Sequence, residues 1–398
     1  MLYPTGHVKL DAVSSENLKV IFSADSIKFP LTGVGRYSFE LGRELAKSRL
    51  CSFLYMRGYG LGPSLPDDAN NPLSSDKLRW IKGLIKGPNS LKFFSTIDSL
   101  FRRVALRNYG DYIFHGSNFY IPPLKGRAVA TIHDLSVFRM PEFHPPERVW
   151  FMGEQIKLTL RRASALITPS ESIRQEVSKY FNWPLDRIFT TPLASGESFF
   201  PRHLKQTFPI LTTLGLNPGG YTLYVGTIEP RKNLRALVEA YRSLPIEVSR
   251  RWPLVIVGHK GWKSDELYSD LKSMQRLGWL QIFGYVPQDI LENIISGARL
   301  FVYPSLYEGF GLPVLEAMAS GVPVVCSNDP ALSEVAGAAA LFHSPKDADQ
   351  LKACILRGLE DDQWRDRARA NGLLNASKYS WRRCATATLG VYQKLMEY

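Results

Sequence analysis

Short runs of β-branched and aromatic residues recur along the chain, and stretches with the helical spacing of apolar residues lie between them. Most of these runs show little alternation of polar and apolar positions, which is typical of parallel strands buried on both faces. Repeated strand–helix units predict right-handed βαβ connections and open parallel sheets. The predicted strands are 19–26, 52–57, 111–115, 128–133, 165–168 and 188–191 in the first half, and 222–226, 254–258, 280–283, 300–303, 323–327 and 339–342 in the second.

Two α/β domains fit the length of 398 residues better than one, because single domains usually hold about 100–200 residues. We place the first domain at 1–200 and the second at 221–378. The stretch between them, 201–220, is interrupted by Pro, Gly and Asn and is interpreted as a linker. A last helix is predicted within 379–398.

Composition and charge narrow the class of protein. With 45% hydrophobic and 22% charged residues, the chain is expected to be globular rather than disordered or fibrous. Its net charge of +12 favours anionic partners. The four cysteines form no CxxC pair, which favours a reducing compartment. Because the first residues lack the apolar stretch of a signal peptide and no apolar run reaches about 18 residues, we expect a cytoplasmic protein.

The segment from Lys77 to Arg107 carries eight basic residues against a single acid, Asp98, and aromatic residues are interspersed among them. One interpretation is an amphipathic surface resting on an anionic membrane, at the inner face of the plasma membrane. The other is a solvated pair of helices whose apolar side belongs to the core. The break at Gly87 and Pro88 leaves both interpretations open.

Gly33 and Gly35 follow the first predicted strand and precede a helix. Glycine lets backbone amides approach a ligand, and the start of a helix favours an anion. The spacing is not the dinucleotide fingerprint, because GxGxxG would require glycine where Ser38 stands. A ligand loop and a plain turn fit this stretch equally well.

His133 and Asp134 lie at the carboxyl end of a predicted strand, the edge that lines ligand crevices in open α/β sheets. An imidazole there could donate to a sugar hydroxyl or to a developing phosphate charge. The alternative is a structural histidine with Asp134 capping the next turn. Ser117 and Asn118 end another strand, so Asp134, Ser117 and Asn118 are candidate acceptor-binding residues.

Arg231 and Lys232 stand at a predicted helix start, shortly after a strand that ends at Gly226, with Asn233 as the predicted N-cap. Two adjacent cations oppose the helix dipole at that position. They become favourable if a pyrophosphate lies between them and the helix amides. The alternative is a pair of solvated surface charges.

Glu308 and Glu316 are separated by seven residues. Pro313 suits the first turn of a helix and Gly321 suits its end, which places Glu316 on the second turn and Glu308 in the loop before it. A fully helical segment would separate the carboxylates by about 12 Å, more than the roughly 5–9.5 Å of a glycosidase pair. The spacing therefore favours contacts to two ends of one ligand, a sugar and a ribose, over two unrelated surface acids.

These motifs together resemble the retaining glycosyltransferases of family 4, which have the GT-B fold, and in particular the bacterial mannosyltransferases of O-antigen and capsule assembly. The resemblance is densest in the second half and extends more loosely through Gly33, Gly35 and His133. It is carried by GTIEPRKNL at 226–234, LVIVGHKGW at 254–262, FGYVPQDIL at 283–291 and YPSLYEGFGLPVLEAMASGVPVV at 303–325.

The resemblance implies two Rossmann-like domains facing across a cleft. The sugar nucleotide would lie mainly on the C-terminal domain and the acceptor on the N-terminal one, and the final helix would cross back to the first domain. Arg231 and Lys232 would neutralise the departing diphosphate. Glu316 would bind the ribose, and Glu308 would lie at the donor sugar as a stabiliser or a nucleophile. Gly33 and Gly35 would lie near the phosphates, and His133 near the donor sugar. Tyr285 and Val286 would lie near the base. The remaining implied donor contacts are Gly226 and the amides of Gly309, Phe310, Gly311 and Leu312.

The implied activity is retaining transfer of a hexose onto a saccharide or polyprenyl-linked saccharide. GDP-mannose is the preferred donor, ahead of dTDP-rhamnose and UDP-sugars. Because paired cations, helix ends and glycine amides can supply a positive field, we predict metal-independent catalysis and no cofactor.

A GT-B sugar-nucleotide epimerase and a non-enzymatic basic module on membrane or nucleic acid are the alternatives, although no nucleic-acid motif is present. A nicotinamide oxidoreductase is disfavoured by the incomplete fingerprint.

Overall fold

The structure is a computed structural model, and it describes residues 18–66 and 88–397, without the side chains of 88–94. The predictions for the first 17 residues and for the basic segment up to residue 87 lie outside the described residues. No helix in the described part of the chain is both long and apolar enough to span a bilayer.

The N-terminal domain is built on a seven-stranded sheet in the order β3-β2-β1-β4-β5-β6-β7, parallel throughout except for the β2–β3 pair. Val20 of the inner strand β1 lies opposite Phe53 on one side and Ile113 on the other. The strands are β1 (Leu18–Ser23), β2 (Cys51–Arg57), β3 (Gly60–Gly62), β4 (Ile113–Gly116), β5 (Ala128–Thr131), β6 (Ala165–Thr168) and β7 (Ile188–Thr190), and the helices are α1 (Gly33–Ala46), α2 (Pro88–Ala105), α3 (Ser136–Arg139), α4 (Pro146–Arg162) and α5 (Glu171–Phe181).

The C-terminal domain is built on a six-stranded parallel sheet in the order β10-β9-β8-β11-β12-β13. The strands are β8 (Thr222–Val225), β9 (Leu254–Val257), β10 (Leu280–Phe283), β11 (Leu300–Tyr303), β12 (Val324–Ser327) and β13 (Ala340–His343). The helices that follow the first domain are α6 (Leu204–Thr213), α7 (Leu234–Arg242), α8 (Ile246–Arg251), α9 (Asp265–Met274), α10 (Gln288–Ser296), α11 (Leu312–Ala319), α12 (Pro330–Ala336), α13 (Ala348–Glu360), α14 (Asp362–Ala376) and α15 (Trp381–Glu397).

Every residue of strands β4, β5, β6, β8, β9, β11 and β12 is buried, which explains their lack of polar alternation. The predicted fold class, two facing parallel-sheet domains, is thereby confirmed. The sequence pattern did not indicate β3, because three residues with two glycines at a sheet edge carry no periodic signal.

The segment between the two sheets is structured rather than extended. Helix α6 occupies much of the predicted linker, and Leu211 and Leu216 are buried in the core of the following domain. A Cβ on Gly297 would lie 2.4 Å from Leu211 Cδ1, so the helix packs closely on the loop after α10. This segment therefore fixes the entry of the chain into the second domain.

The final helix α15 packs against α1 of the N-terminal domain. The Tyr392 hydroxyl lies 2.6 Å from His115 Nδ1, and His115 Nε2 lies 2.9 Å from Thr131 Oγ1, which also contacts the Tyr37 hydroxyl at 2.8 Å. Burial lowers the pKa of His115 to about 3, so the imidazole is neutral. A buried polar chain thus joins helix α15 to the first sheet.

In both sheets the strand order reverses next to the first strand, between β1 and β4 and between β8 and β11. Loops at such switch points line the ligand crevice of open α/β sheets. Hydrogen bonds join the domains along this edge: Ser170 Oγ to the Gly309 carbonyl (2.8 Å), the amides of Glu171 and Ser172 to the Glu334 carboxylate (2.9 Å each), Trp262 Nε1 to the Phe143 carbonyl (2.7 Å) and Arg36 Nη2 to Gln288 Oε1 (2.5 Å).

Candidate active site

A charged cluster lies between the carboxyl ends of β8 and β11. Lys232 Nζ donates to Glu308 Oε1 at 2.5 Å, and Arg231 Nη1 donates to Glu308 Oε2 at 3.2 Å. Arg231 Nη2 also donates to Glu229 Oε1 at 2.9 Å. Glu229, Lys232 and Glu308 are buried, so the two cations are not the solvated surface charges of the alternative interpretation.

The turn that carries the two cations is set by its backbone. Pro230–Lys232 form a single 3-10 turn, and Asn233 follows in the left-handed region with φ of 58°. Asn233 occupies the predicted N-cap position of α7, but its side chain does not cap the helix and donates instead to the carbonyls of Pro304 (3.1 Å) and Pro345 (2.9 Å). Asparagine tolerates this conformation, and its amide ties the turn to the loop after β11.

The electrostatics of the cluster keep Glu308 ionised. Burial alone would raise its pKa, but the charges of Lys232 and Arg231 outweigh burial and lower the pKa to about 2. Burial and the neighbouring Arg231 lower the pKa of Lys232. At neutral pH Glu308 is therefore a carboxylate, available as a stabiliser or a nucleophile and not as a proton donor.

Three further residues that the motif analysis did not single out hold this cluster. Ser305 Oγ donates to Glu308 Oε1 at 2.6 Å, and Lys232 Nζ donates to the Tyr303 hydroxyl at 2.8 Å. The Glu308 amide faces Asp329 Oδ2 at 3.4 Å. Tyr303 ends β11 and Asp329 follows β12, so their position at strand ends is the signal that could have indicated them.

The N-terminal domain meets this cluster at Gly309. A Cβ on Gly309 would lie 1.9 Å from the carbonyl oxygen of His133 and 3.1 Å from Asp134 Cβ. Only glycine allows this approach, so Gly309 is where the two domains touch beside Glu308. Burial opposes ionisation of Asp134, but Arg231 and hydrogen bonds from Ser136 lower its pKa, so a second carboxylate faces Arg231.

His133 is held as a neutral imidazole with a defined tautomer. Its Nε2 lies 3.0 Å from the Ser117 carbonyl, which can only accept, so Nε2 carries the proton and Nδ1 keeps its lone pair. Burial lowers the pKa of His133. Ser117 is buried and donates to the Ser23 carbonyl at 2.7 Å, while Asn118 Oδ1 accepts the Phe119 amide at 3.0 Å.

The predicted glycine contacts divide into open and packed positions. A Cβ on Gly33 would meet nothing within 4 Å, which leaves space for a ligand at the start of α1. At Gly35 it would lie 2.9 Å from the Ser26 carbonyl, and at Gly226 it would lie 2.8 Å from the Tyr224 hydroxyl. Gly311 has φ of 103° and immediately precedes α11. At these last three positions the local structure itself requires glycine, whether or not a ligand binds there.

The remaining donor candidates lie around α11. Glu316 is on the second turn of α11 as predicted and is 6% exposed. Within the residues that the structure describes, its carboxylate makes no hydrogen bond, and burial raises its pKa to about 7 despite the charge of Arg36. Leu312 begins α11, and the Phe310 ring packs edge-on against Tyr379 at 5.8 Å. Tyr285 is 59% exposed, while Val286 packs against the core.

The described part of the chain contains no cluster of three or more His, Cys, Asp or Glu side chains arranged around a common metal position. An Asp-x-Asp sequence occurs at Asp347 to Asp349. Asp347 Oδ1 accepts the amide of Gln350 at 2.8 Å and caps helix α13. Helix capping accounts for Asp347, and Asp349 lies in the first turn of the same helix.

The two parallel-sheet domains, which meet at the edge that carries the charged cluster, have the GT-B fold. Two solved structures share the fold. Sucrose-phosphate synthase from Thermosynechococcus elongatus aligns with a TM-score of 0.68 and 19% identity over 96% of this chain and 99% of that one. Anabaena HepE in complex with UDP-glucose aligns with a TM-score of 0.67 and 15% identity over 96% and 100%.

Sequence comparison identifies the family. The model of glycosyl transferases group 1 matches residues 217–374. The O-antigen chain mannosyltransferase B of Escherichia coli is 43% identical over 381 residues, which cover 95% of this chain and all of that protein. The chain therefore belongs to the group 1 glycosyltransferases. This membership does not favour the epimerase or the non-enzymatic interpretation.

Proposed function

We propose that the protein transfers mannose from GDP-mannose onto a saccharide acceptor in bacterial surface-polysaccharide synthesis, with retention of anomeric configuration. The observation that carries the proposal is the buried cation pair beside Glu308, in a chain similar over 95% of its length to an O-antigen mannosyltransferase. The nucleotide would bind along α11 and the tip of β8, with the donor sugar beside His133, and the acceptor would lie against Asp134, Ser117 and Asn118.

The chemistry needs a field that stabilises the departing diphosphate. As the bond between the sugar C1 and the phosphate oxygen breaks, negative charge grows on that oxygen, and Arg231 and Lys232 are already fixed beside it. One preorganised donor of this kind is worth about 2.7–4 kcal/mol. In the retaining reaction we propose, the acceptor oxygen bonds to C1 on the face that the diphosphate leaves, and its proton passes to the phosphate oxygen.

Thermal shift with a panel of sugar nucleotides tests the donor, because a ligand that binds the native state raises its stability by RT ln(1 + [L]/Kd). We expect the largest shift with GDP-mannose. Transfer to an oligomannoside acceptor, followed by NMR of the product, tests the reaction and its stereochemistry. A larger shift with UDP- or dTDP-sugars would overturn the donor, and an inverted anomer would overturn retention.

Activity should survive removal of divalent cations. Arg231, Lys232 and the amides at the start of α11 would supply the positive charge that Mg²⁺ supplies elsewhere. Steady-state rates before and after treatment with EDTA should agree. Loss of activity that added Mn²⁺ or Mg²⁺ restores would contradict this expectation.

Donor affinity should rise with pH because of Glu316. Its pKa of about 7 means that the carboxyl is largely protonated below neutral pH, while ribose hydroxyls bind best to the charged carboxylate. GDP-mannose has a diphosphate esterified at both ends, so its own charge stays constant over this range. Titration calorimetry from about pH 6 to about pH 8 should show tighter binding at the higher pH.

The variant Glu316→Gln is the control for this pH dependence. It keeps the size and an acceptor oxygen but cannot titrate, so its affinity should vary little with pH. An equal slope in the variant and the wild type would assign the titration to another group.

We further propose that the enzyme works at the inner face of the plasma membrane on a polyprenyl-linked saccharide. Helix α2 turns its polar side inward, where Arg102 pairs with Asp25 (2.7 Å) and Asp98 (2.9 Å). Arg102 is therefore not part of the predicted basic surface. The outer side of helix α2 is apolar, and its exposed residues follow helical spacing: Ile97, Leu100 (59% exposed), Phe101 (56% exposed) and Val104. Exposed Arg103 and Arg107 flank this apolar side.

The double variant Leu100→Ser with Phe101→Ser should bind vesicles containing phosphatidylglycerol at least about tenfold more weakly than the wild type, since burying each side chain is worth roughly 1.5–3 kcal/mol. Co-sedimentation measures this. Leu374→Ser removes an equally exposed leucine from α14 and should leave binding unchanged. Equal binding by the double variant and the wild type would favour the solvated-helix interpretation.

A further inference from the structure

Tyr307 reaches from the C-terminal domain into the N-terminal domain. Its ring packs against the core cluster of the N-terminal domain. Its hydroxyl accepts the backbone N–H of Leu135 at 3.0 Å and donates to Glu176 Oε2 at 2.6 Å. Both partners belong to the N-terminal domain, so this one hydroxyl joins two of its segments, the loop after β5 and helix α5.

The backbone around Tyr307 is hydrogen-bonded to Arg231. Arg231 Nη1 donates to the Tyr307 carbonyl at 2.7 Å, and the neighbouring Leu306 amide donates to the Arg231 carbonyl at 2.9 Å. The next residue along the chain is Glu308. Tyr307 therefore touches the N-terminal domain with its side chain and the leaving-group site with its main chain.

We propose that Tyr307 is a positioning residue that couples domain closure to the alignment of Arg231 and Glu308, an inference that rests on the proposed transfer reaction. When the domains separate, the hydroxyl loses both partners and the ring loses its packing. The loop 305–308 then keeps its contacts within the C-terminal domain and loses those to the N-terminal domain. When they close, the hydroxyl fixes the carbonyl that Arg231 binds, and the guanidinium faces the diphosphate.

Glu176 is suited to act as the anchor for this contact. Its other carboxylate oxygen pairs with Arg139 Nε at 3.1 Å, so the carboxylate is held in place from α3. Removing the tyrosine hydroxyl therefore leaves Glu176 with a charge partner. This limits the structural damage of the test variant.

The first test is Tyr307→Phe, which removes the hydroxyl and keeps the ring. We expect kcat to fall about tenfold or more, because a hydrogen bond to a charged group is lost and the cations are no longer fixed. The KM for the donor should stay close to the wild-type value, since the hydroxyl contacts the N-terminal domain while the nucleotide would lie on the C-terminal one. An unchanged kcat, or a rise in donor KM alone, would overturn the proposal.

Two further variants separate positioning from stability. Tyr180→Phe removes an exposed tyrosine hydroxyl from the same helix as Glu176 and should leave kcat unchanged. Glu176→Ala should lower kcat like Tyr307→Phe, and the double variant should be no worse than either single one. Additive losses would show that the two side chains act independently.

Hydrogen exchange tests the contact without relying on activity. The Leu135 amide should exchange faster in Tyr307→Phe than in the wild type, and GDP should slow this exchange in the wild type but not in the variant. Equal exchange in both proteins would overturn the coupling. If the wild type transferred no sugar from any donor, the proposed function would fail, and the exchange result alone would decide the role of Tyr307.

Discussion

Replacing Lys232 by alanine should lower kcat by about a hundredfold to a thousandfold, the usual effect of removing one preorganised donor from a developing oxyanion. Lys232 is buried and bonded to Glu308 and Tyr303, so the ammonium needs no reorganisation when the diphosphate departs. Donor affinity should fall much less, because the charge that Lys232 stabilises grows during bond breaking. Steady-state GDP release measures both quantities.

Arg235→Ala provides the matched control for the lysine variant. Arg235 lies three residues later, is exposed, and pairs with the exposed Glu266 at 3.4 Å. Its removal should change kcat little, since exposed pairs contribute little. Circular dichroism should show that both variants fold. Turnover near the wild-type rate in Lys232→Ala would remove the electrostatic assignment of the cation pair.

Replacing Gly309 by alanine should lower activity by at least about a hundredfold, since a displacement of roughly 1 Å at a catalytic site commonly costs that much. The added methyl would meet the His133 carbonyl oxygen at 1.9 Å, and backbone atoms cannot move aside as a flexible side chain would. The two domains must then separate at the edge that carries Glu308. The thermal shift with the donor should fall less than activity, because Glu316, the predicted ribose contact on α11, is not changed.

Gly390→Ala is the corresponding control. Gly390 lies within α15, and a Cβ there would meet nothing within 4 Å. Alanine should slightly stabilise that helix and leave turnover unchanged. If Gly309→Ala kept wild-type activity, the contact between Gly309 and His133 would not belong to the catalytically competent arrangement.

The sheets were predictable because their strands are buried on both faces. A parallel strand covered by helices reads as a short unbroken apolar run, and each predicted run has a matching strand in the two sheets. The exceptions are instructive. Strand β3 is too short and too rich in glycine to form a pattern, and α6 lies in a segment whose prolines and glycines suggested a linker.

Parts of the candidate site could be predicted where the charge or residue type at a position does not suit the helix or loop predicted there. Adjacent cations at Arg231 and Lys232 oppose a helix start, and the Glu308 motif combines glycines with an early helical proline. The partners of these groups could not be predicted in the same way. Tyr303, Asp329 and Tyr307 act through contacts between segments distant in sequence, and Asn233 takes a left-handed conformation that one sequence does not reveal.

The return of α15 to the first sheet has a consequence for biosynthesis. Tyr392 completes a buried polar chain through His115 and Thr131, deep inside the domain that the ribosome makes first. That domain therefore cannot complete its interior until helix α15 has been synthesised. The interior of the first sheet domain thus depends on a helix that is synthesised after the second sheet domain.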